Sequence, residues 1–131
     1  MGDDVVTILT LNMKAHTAGD VFVYSHKRKM LIGGDVILNK QVPSIANGDP
    51  NGYFVAFDRL QKEYDIQKIV PGHGASGGIE ILENFRQYFT DMKSASEDKA
   101  KEDELVDKYK SWAQVPMLMS SENVVDAFKK K

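Results

Sequence analysis

The stretch Gln67-Lys68-Ile69-Val70-Pro71-Gly72-His73-Gly74-Ala75-Ser76-Gly77-Gly78 sets the interpretation of the whole chain. A short apolar run ends at a proline, a histidine follows between two glycines, and a helical pattern begins just beyond. This order predicts a buried strand that delivers the imidazole of His73 to the edge of a sheet. Because neither neighbour of His73 carries a Cβ atom, the chain can turn sharply there and a ligand or metal ion can approach.

Two loops upstream have the same form. His16 follows an apolar strand pattern, and Asp35 follows Met30-Leu31-Ile32-Gly33-Gly34. Ligands usually bind at strand ends in α/β sheets, and two imidazoles with one carboxylate are common donors for catalytic zinc or iron. Any one of these residues alone is better explained as a loop cap. Three of them in matching contexts favour a metal site formed by His16, Asp35 and His73.

The periodicity of apolar residues predicts an α/β fold with about four strands. The strand patterns cover residues 5–13, 21–24, 30–32 and 66–70, of which the second and third form a hairpin. The fourth is reached through a helix and is expected to pair in parallel. Asp49-Pro50 marks the start of one helix, Ile79 that of a second, and Ser120 or Ser121 that of the last. In the first strand, one side is expected to carry Val5, Leu9, Leu11 and Met13, and the other Val6 and Ile8.

Composition restricts the classes of function. With 131 residues the chain is expected to form a single domain, 1–131, and its net charge of −2 gives no case for nucleic acid or an anionic membrane. The chain has no cysteine, so thiolate metal sites are excluded. No apolar run is long enough to cross a bilayer, and the acidic start does not resemble a signal peptide. We therefore expect a soluble protein, whose compartment the sequence does not reveal.

Three segments together resemble the second half of the metallo-β-lactamase superfamily. They are Ala15-His16-Thr17-Ala18-Gly19-Asp20, Leu31-Ile32-Gly33-Gly34-Asp35 and Val70-Pro71-Gly72-His73-Gly74, in that order and at similar spacing. The resemblance implies that 5–92 is a metallo-β-lactamase-like half and 93–131 a helical tail. It also implies that His16 completes one metal site, Asp35 bridges two metals and His73 binds the second. Zinc, or another divalent metal such as iron or manganese, would be the cofactor of a hydrolase.

The other signature of that family, His-x-His-x-Asp-His, is absent from this chain. The remaining histidine, His26, lies in a charged hairpin turn and is expected to be exposed. The predicted fold is therefore half of a metallo-β-lactamase-type αββα sandwich, one mixed sheet with flanking helices and a helical C-terminal tail. Such a sheet exposes an apolar face unless a missing N-terminal half or a homodimer partner covers it. We expect little turnover from this chain in isolation.

Two alternative functions come from other classes. The segment Gly72–Gly77 matches G-x-G-x-x-G between a strand and a helix, as in dinucleotide-binding proteins. The charged stretch after the next helix does not fit this interpretation, because a second parallel strand is required there. The other alternative is a dimeric, non-catalytic interaction module with a vestigial metal site. It predicts that removing His16 or His73 leaves both stability and partner binding unchanged.

Overall fold

A computed structural model describes residues 3–11, 14–114 and 119–130. Four strands are present in this part of the chain: β1 (Val6–Thr10), β2 (Val21–Ser25), β3 (Met30–Ile32) and β4 (Lys68–Val70). Four α-helices accompany them: α1 (Pro50–Glu63), α2 (Glu80–Glu97), α3 (Lys99–Lys108) and α4 (Ser121–Lys129). The predicted α/β class is confirmed, with strands first, then alternation, then a helical tail.

The four strands form one mixed sheet in the order β1-β2-β3-β4. β1 pairs with β2 and β2 with β3 in antiparallel fashion, whereas β3 and β4 are parallel. The predicted hairpin and the predicted parallel strand are therefore both confirmed. The parallel pairing follows from α1, because a helical crossover carries the chain back to the end of the sheet at which β3 began.

The two faces of the sheet differ in exposure. Leu9, Phe22, Leu31 and Ile69 lie on one face and are buried in the core against the helices. The opposite face carries a row of paired residues that crosses all four strands; it consists of Ile8, Val23, Ile32 and Val70. Ile8 is 70% exposed and Ile32 40%. The expected apolar, uncovered face is present, and we call it the open sheet face.

α1 and α2 supply most of the aromatic core. Asp49 caps α1 by accepting a hydrogen bond from the backbone N–H of Asn51, and Pro50 occupies the first turn, as predicted. Within the core, the ring of Tyr53 stacks on that of Phe89, with centroids 4.2 Å apart. Phe85 packs edge-on against Phe89 at 5.0 Å. These rings fix how α1 lies against α2, and through α1 they fix the loop that precedes it.

The helical tail is joined to α2 by a buried carboxylate. Asp91 accepts hydrogen bonds from the Lys108 ammonium at 2.8 Å, from the hydroxyl of Tyr109 and from the amide of Gln87. Burial alone would raise the pKa of Asp91, but these hydrogen bonds outweigh it and the pKa is lowered. The division into 5–92 and 93–131 stays a prediction, although α2 crosses the proposed boundary and ends at Glu97.

Two secondary-structure elements end at residues other than the predicted ones. α2 runs past Met92 to Glu97, because Ala95 is buried and continues its apolar face. The first strand ends at Thr10, so Leu11, which the prediction included, lies beyond it, while the predicted positions 12 and 13 lie outside the described residues. No helix in the described part of the chain is both long and apolar enough to cross a bilayer.

Candidate metal centre

The loop that carries His16 is organised by the carboxylate of Asp20. This carboxylate accepts hydrogen bonds from the backbone N–H groups of Ala15, His16 and Thr17 at 3.0 to 3.2 Å, and from the hydroxyl of Thr17 at 3.0 Å. Asp20 is itself buried. A buried carboxylate that accepts several N–H hydrogen bonds stabilises one loop conformation strongly. In any other buried conformation these N–H groups would have neither the carboxylate nor water as an acceptor.

Two glycines at the start of α1 allow the backbone of the same loop to pack closely against it. A Cβ atom on Gly52, in the first turn of α1, would lie 1.6 Å from the carbonyl oxygen of Lys14. A Cβ atom on Gly48 would lie 2.1 Å from the carbonyl oxygen of Ala15, which also accepts a hydrogen bond from Asp49 N–H at 2.8 Å. The backbone of the His16 loop thus rests directly on the start of α1, where no side chain has room.

Asp35 lies in a short 3₁₀ turn, Gly34–Val36, directly after β3. The loop after β4 packs against this turn, since Gly72 N–H donates to the carbonyl oxygen of Ile37 at 2.9 Å. A Cβ atom on Gly72 would lie 2.5 Å from the carbonyl oxygen of Gly34 and 2.6 Å from Oδ1 of Asp35. Because residue 72 is glycine, the loop after β4 can approach the carboxylate of Asp35.

His73 is held by Asn39. The N–H of Asn39 donates to the carbonyl oxygen of His73 at 3.0 Å, and its side-chain amide donates to the carbonyl oxygen of Ala75 at 2.8 Å. Between them, Gly74 has a φ of +93°, in the region that disfavours residues with a Cβ atom. The sharp turn predicted beside His73 is present.

The structure brings the three predicted side chains together. His16 Nε2 lies 3.5 Å from Oδ2 of Asp35, and His73 Nε2 lies 3.3 Å from Oδ1 of the same carboxylate. The side chain of His16 is 21% exposed, while those of Asp35 and His73 are about half exposed. The third histidine, His26, is exposed as expected and contacts Thr7 in the β1–β2 ladder instead.

The arrangement is not a closed three-ligand site. In residues 3–11, 14–114 and 119–130, no group of three or more His, Cys, Asp or Glu side chains is placed to hold one metal ion. The contacts give the reason: each imidazole faces a different oxygen of Asp35, so the donors form two pairs that share one carboxylate. The role of His16, Asp35 and His73 as metal ligands stays a prediction.

A cavity of about 190 Å³ opens over the two imidazoles and the carboxylate. Its wall is completed by side chains that carry no net charge: Thr17, Leu38, Gln41, Ser44, Asn47 and Met119. Three of these, Gln41, Ser44 and Asn47, come from the loop between Asp35 and α1. They place amide and hydroxyl groups where a bound molecule would meet them.

Sequence analysis missed Tyr53. Tyr53 is fully buried, and its hydroxyl lies 3.4 Å from Nδ1 of His16. Burial raises the pKa of Tyr53, and the charges of Asp20 and Asp35 raise it further, so the phenol stays protonated. Apolar spacing of four and seven residues, to Phe57 and Leu60, would have found the ring.

The dinucleotide interpretation of Gly72–Gly77 is not supported by the fold. Gly77 pairs with Ile69 through two backbone hydrogen bonds, so the segment folds back on β4 instead of leading straight into a helix. After α2 the described chain continues into α3 and α4, with no strand between them. A dinucleotide unit requires a second parallel strand at this point.

Comparisons with known proteins point to one superfamily. No protein-family model matches the chain. It is similar to the metallo-beta-lactamase type 2 of Bacteroides fragilis, with 28% identity over 76 residues, which are 55% of this chain and 30% of that protein. The metallo-beta-lactamase from Pontibacter korlensis has the same fold with a TM-score of 0.62 and 26% identity, over 69% of this chain and 43% of that one.

The fold also matches the metallo-beta-lactamase FIM-1 from Pseudomonas aeruginosa, whose structure is of a mono-zinc form. The TM-score is 0.58 at 22% identity, over 65% of this chain and 39% of that one. The superfamily resemblance expected from the three motifs is thus confirmed. The chain spans less than half the length of each of these relatives.

Proposed function

Because this chain resembles the metallo-β-lactamase superfamily in sequence and in fold, we propose that it is part of a metal-dependent hydrolase. The proposal gives His16, Asp35 and His73 to the metal centre and assigns the remaining ligands to a further polypeptide segment. It rests mainly on one observation: two imidazoles from distant loops meet opposite oxygens of one carboxylate.

The donor distances support this assignment. Two donors on one tetrahedral zinc, each about 2.0–2.1 Å from the ion, lie about 3.3 Å from each other. The observed separations, 3.5 Å for His16 with Asp35 and 3.3 Å for His73 with Asp35, match that value. Asp35 would therefore serve two ions, with one imidazole for each.

The same geometry argues that this chain is catalytically incomplete. One imidazole and one carboxylate oxygen fill two positions of a four-coordinate ion, and a catalytic zinc normally has three protein ligands. The relatives are more than twice as long as the matched region. We therefore propose that turnover needs ligands from outside this chain.

The chain's own residues would orient the reaction. A bound divalent ion supplies an acidified water and polarises the attacked carbonyl or phosphoryl oxygen. Asp35 holds both imidazoles at fixed distances, which pre-organises the donors before an ion arrives. Gln41, Ser44 and Asn47 line the cavity and would hydrogen-bond polar atoms of an ester, thioester, amide or phosphodiester.

Zinc titration of this chain, by calorimetry or by the absorption of cobalt(II), tests the centre. Three single variants are tested: His16→Gln, His73→Gln and Asp35→Asn. Each is expected to lower the affinity for zinc at least tenfold, because each removes one donor atom. His26→Gln is the matched control, since His26 is an exposed imidazole outside the site. Unfolding curves of each variant check that the fold persists.

Equal zinc affinity in the His16, His73 and His26 variants would contradict the proposed metal centre. It would favour the second candidate, a non-catalytic interaction module. The hydrolase is tested further by adding the polypeptide that supplies the remaining ligands and measuring lactam, ester and phosphodiester turnover. No gain in turnover on that addition would count against the hydrolase.

The open sheet face supports a second part of the proposal, a covering partner. Val6, Ile8, Val21 and Ile32 are each at least 40% exposed on one side of the sheet, an arrangement that is unfavourable in water. The partner is either the missing N-terminal half or a second copy of this chain. Both would bury the row of apolar side chains that crosses the four strands.

Ile8→Lys is expected to abolish self-association of this chain, because it places a charge on the open sheet face at its most exposed apolar residue. The measurement is the molar mass in solution over a range of protein concentrations. Val55→Lys is the matched control, since Val55 is 47% exposed but lies on α1. A wild-type chain that stays monomeric would exclude the homodimer and leave the longer polypeptide as the partner.

A further inference from the structure

We propose that Tyr53 is a positioning residue, whose buried hydroxyl fixes the imidazole of His16 through Nδ1 and so aims Nε2 at the metal position. This rests on the proposed function, in which His16 is a ligand. The hydroxyl lies 3.4 Å from Nδ1, and the opposite ring nitrogen faces Asp35 at 3.5 Å. One imidazole is therefore held at both nitrogens by two different elements of the fold.

The ring of Tyr53 cannot easily move away from this contact. It is fully buried, stacks on Phe89 and touches Phe57 and Phe85 at centroid distances near 6 Å. These three aromatic neighbours restrict the movement of the ring, and therefore also the position of its hydroxyl oxygen. A buried phenol also needs a hydrogen-bond partner, and within the described residues that partner is His16.

The hydroxyl can serve both states of the site. In the tautomer that carries its proton on Nε2, Nδ1 would accept a hydrogen bond from the hydroxyl. In the tautomer that carries its proton on Nδ1, which leaves Nε2 free to bind a metal ion, the same hydroxyl oxygen would accept from Nδ1–H. Outer hydrogen bonds of this kind orient metal-binding histidines and commonly change metal affinity ten- to a hundredfold.

Tyr53→Phe tests the proposal, because it keeps the packed ring and removes only the oxygen. Tyr88→Phe is the matched control: Tyr88 is also fully buried, and its hydroxyl contacts Ser121 at 3.1 Å, away from the site. The chain has three histidines, so selective ¹⁵N labelling gives three pairs of ring-nitrogen signals, Nδ1 and Nε2, which single His→Gln variants assign to each residue. The first readout is the Nδ1 resonance of His16 in the metal-free chain.

We expect Tyr53→Phe to shift the Nδ1 resonance of His16 and to leave His26 unchanged, with zinc affinity falling about tenfold. Tyr88→Phe should leave both quantities as in the wild type. An unmoved Nδ1 resonance, or an equal loss of zinc affinity in both variants, would overturn the positioning role. If the wild-type chain binds no zinc, the proposed metal centre fails, whereas the Nδ1 resonance still decides whether Tyr53 holds His16.

Discussion

Gly52→Ala is expected to destabilise the protein by about 3 kcal/mol, although alanine is the better helix former. In an open helix the change from glycine to alanine would stabilise by about 1 kcal/mol. Here the added methyl would lie 1.6 Å from the carbonyl oxygen of Lys14 and 2.7 Å from its carbon. These are backbone atoms, so the loop itself has to move, and such overpacking costs about 1–3 kcal/mol or more.

The sign of the change in the free energy of unfolding, measured with chemical denaturant, is the decisive result. The loop that must move leads directly to His16, so zinc affinity is expected to fall together with stability. Gly19→Ala is the matched control in that loop, because nothing lies within 4 Å of its added methyl. Its effect should stay within about 0.5 kcal/mol. A stabilised Gly52→Ala protein would mean that α1 does not pack on the loop as described.

Asp20→Ala is expected to cost about 3 kcal/mol and to weaken zinc binding without touching any predicted ligand. The substitution leaves the N–H groups of His16 and Thr17 without their acceptor, whereas Ala15 N–H keeps the carbonyl oxygen of Thr17 at 3.3 Å. Each partly buried donor that loses its partner costs about 1–3 kcal/mol, and some of this is recovered as water enters. The loop would then no longer present His16 in a fixed position.

Asp20→Asn distinguishes the loss of hydrogen-bond acceptors from the loss of the whole side chain. One oxygen remains as an acceptor and the shape is kept, so we expect a smaller loss of stability than with alanine. Asp58→Ala serves as a control for removing a carboxylate: Asp58 is exposed and pairs with Arg86 on the surface, an interaction worth at most about 1 kcal/mol. Equal losses for Asp20→Ala and Asp58→Ala would rule out the organising role of Asp20.

Local pattern was sufficient for most of the fold. The alternation correctly separated Leu9 and Leu11 from Val6 and Ile8, because one face of β1 is buried and the other is not. Val5 was wrongly grouped with the buried residues: it precedes β1 and is 65% exposed. The spacing of apolar residues in α2 and the serine cap of α4 likewise report interactions within a few residues. The convergence of His16, Asp35 and His73 was predicted from strand ends and from the family resemblance.

The supporting residues of the site could not be found in the same way. Helical spacing could have placed the ring of Tyr53 in the core, but no periodicity predicts its contact with His16, which lies 37 positions away in the sequence. Gly52 lies just after the predicted helix start at Asp49-Pro50, but its close approach to Lys14 exists only after α1 has packed against the loop. Asp20 was quoted within a motif, but its hydrogen bonds depend on how the loop closes.

The segment 44–47 lies between two anchored points of the chain. On one side, Val42 N–H donates to the carbonyl oxygen of Ala113, and on the other Gly48 packs on the His16 loop. Ser44 and Asn47 shape the cavity, yet neither holds a candidate ligand in place. Insertions or exchanges in these four positions can therefore remodel which molecules fit, while the donor atoms keep their spacing. Under the proposed function, substrate selectivity and metal binding therefore depend on separate stretches of the polypeptide.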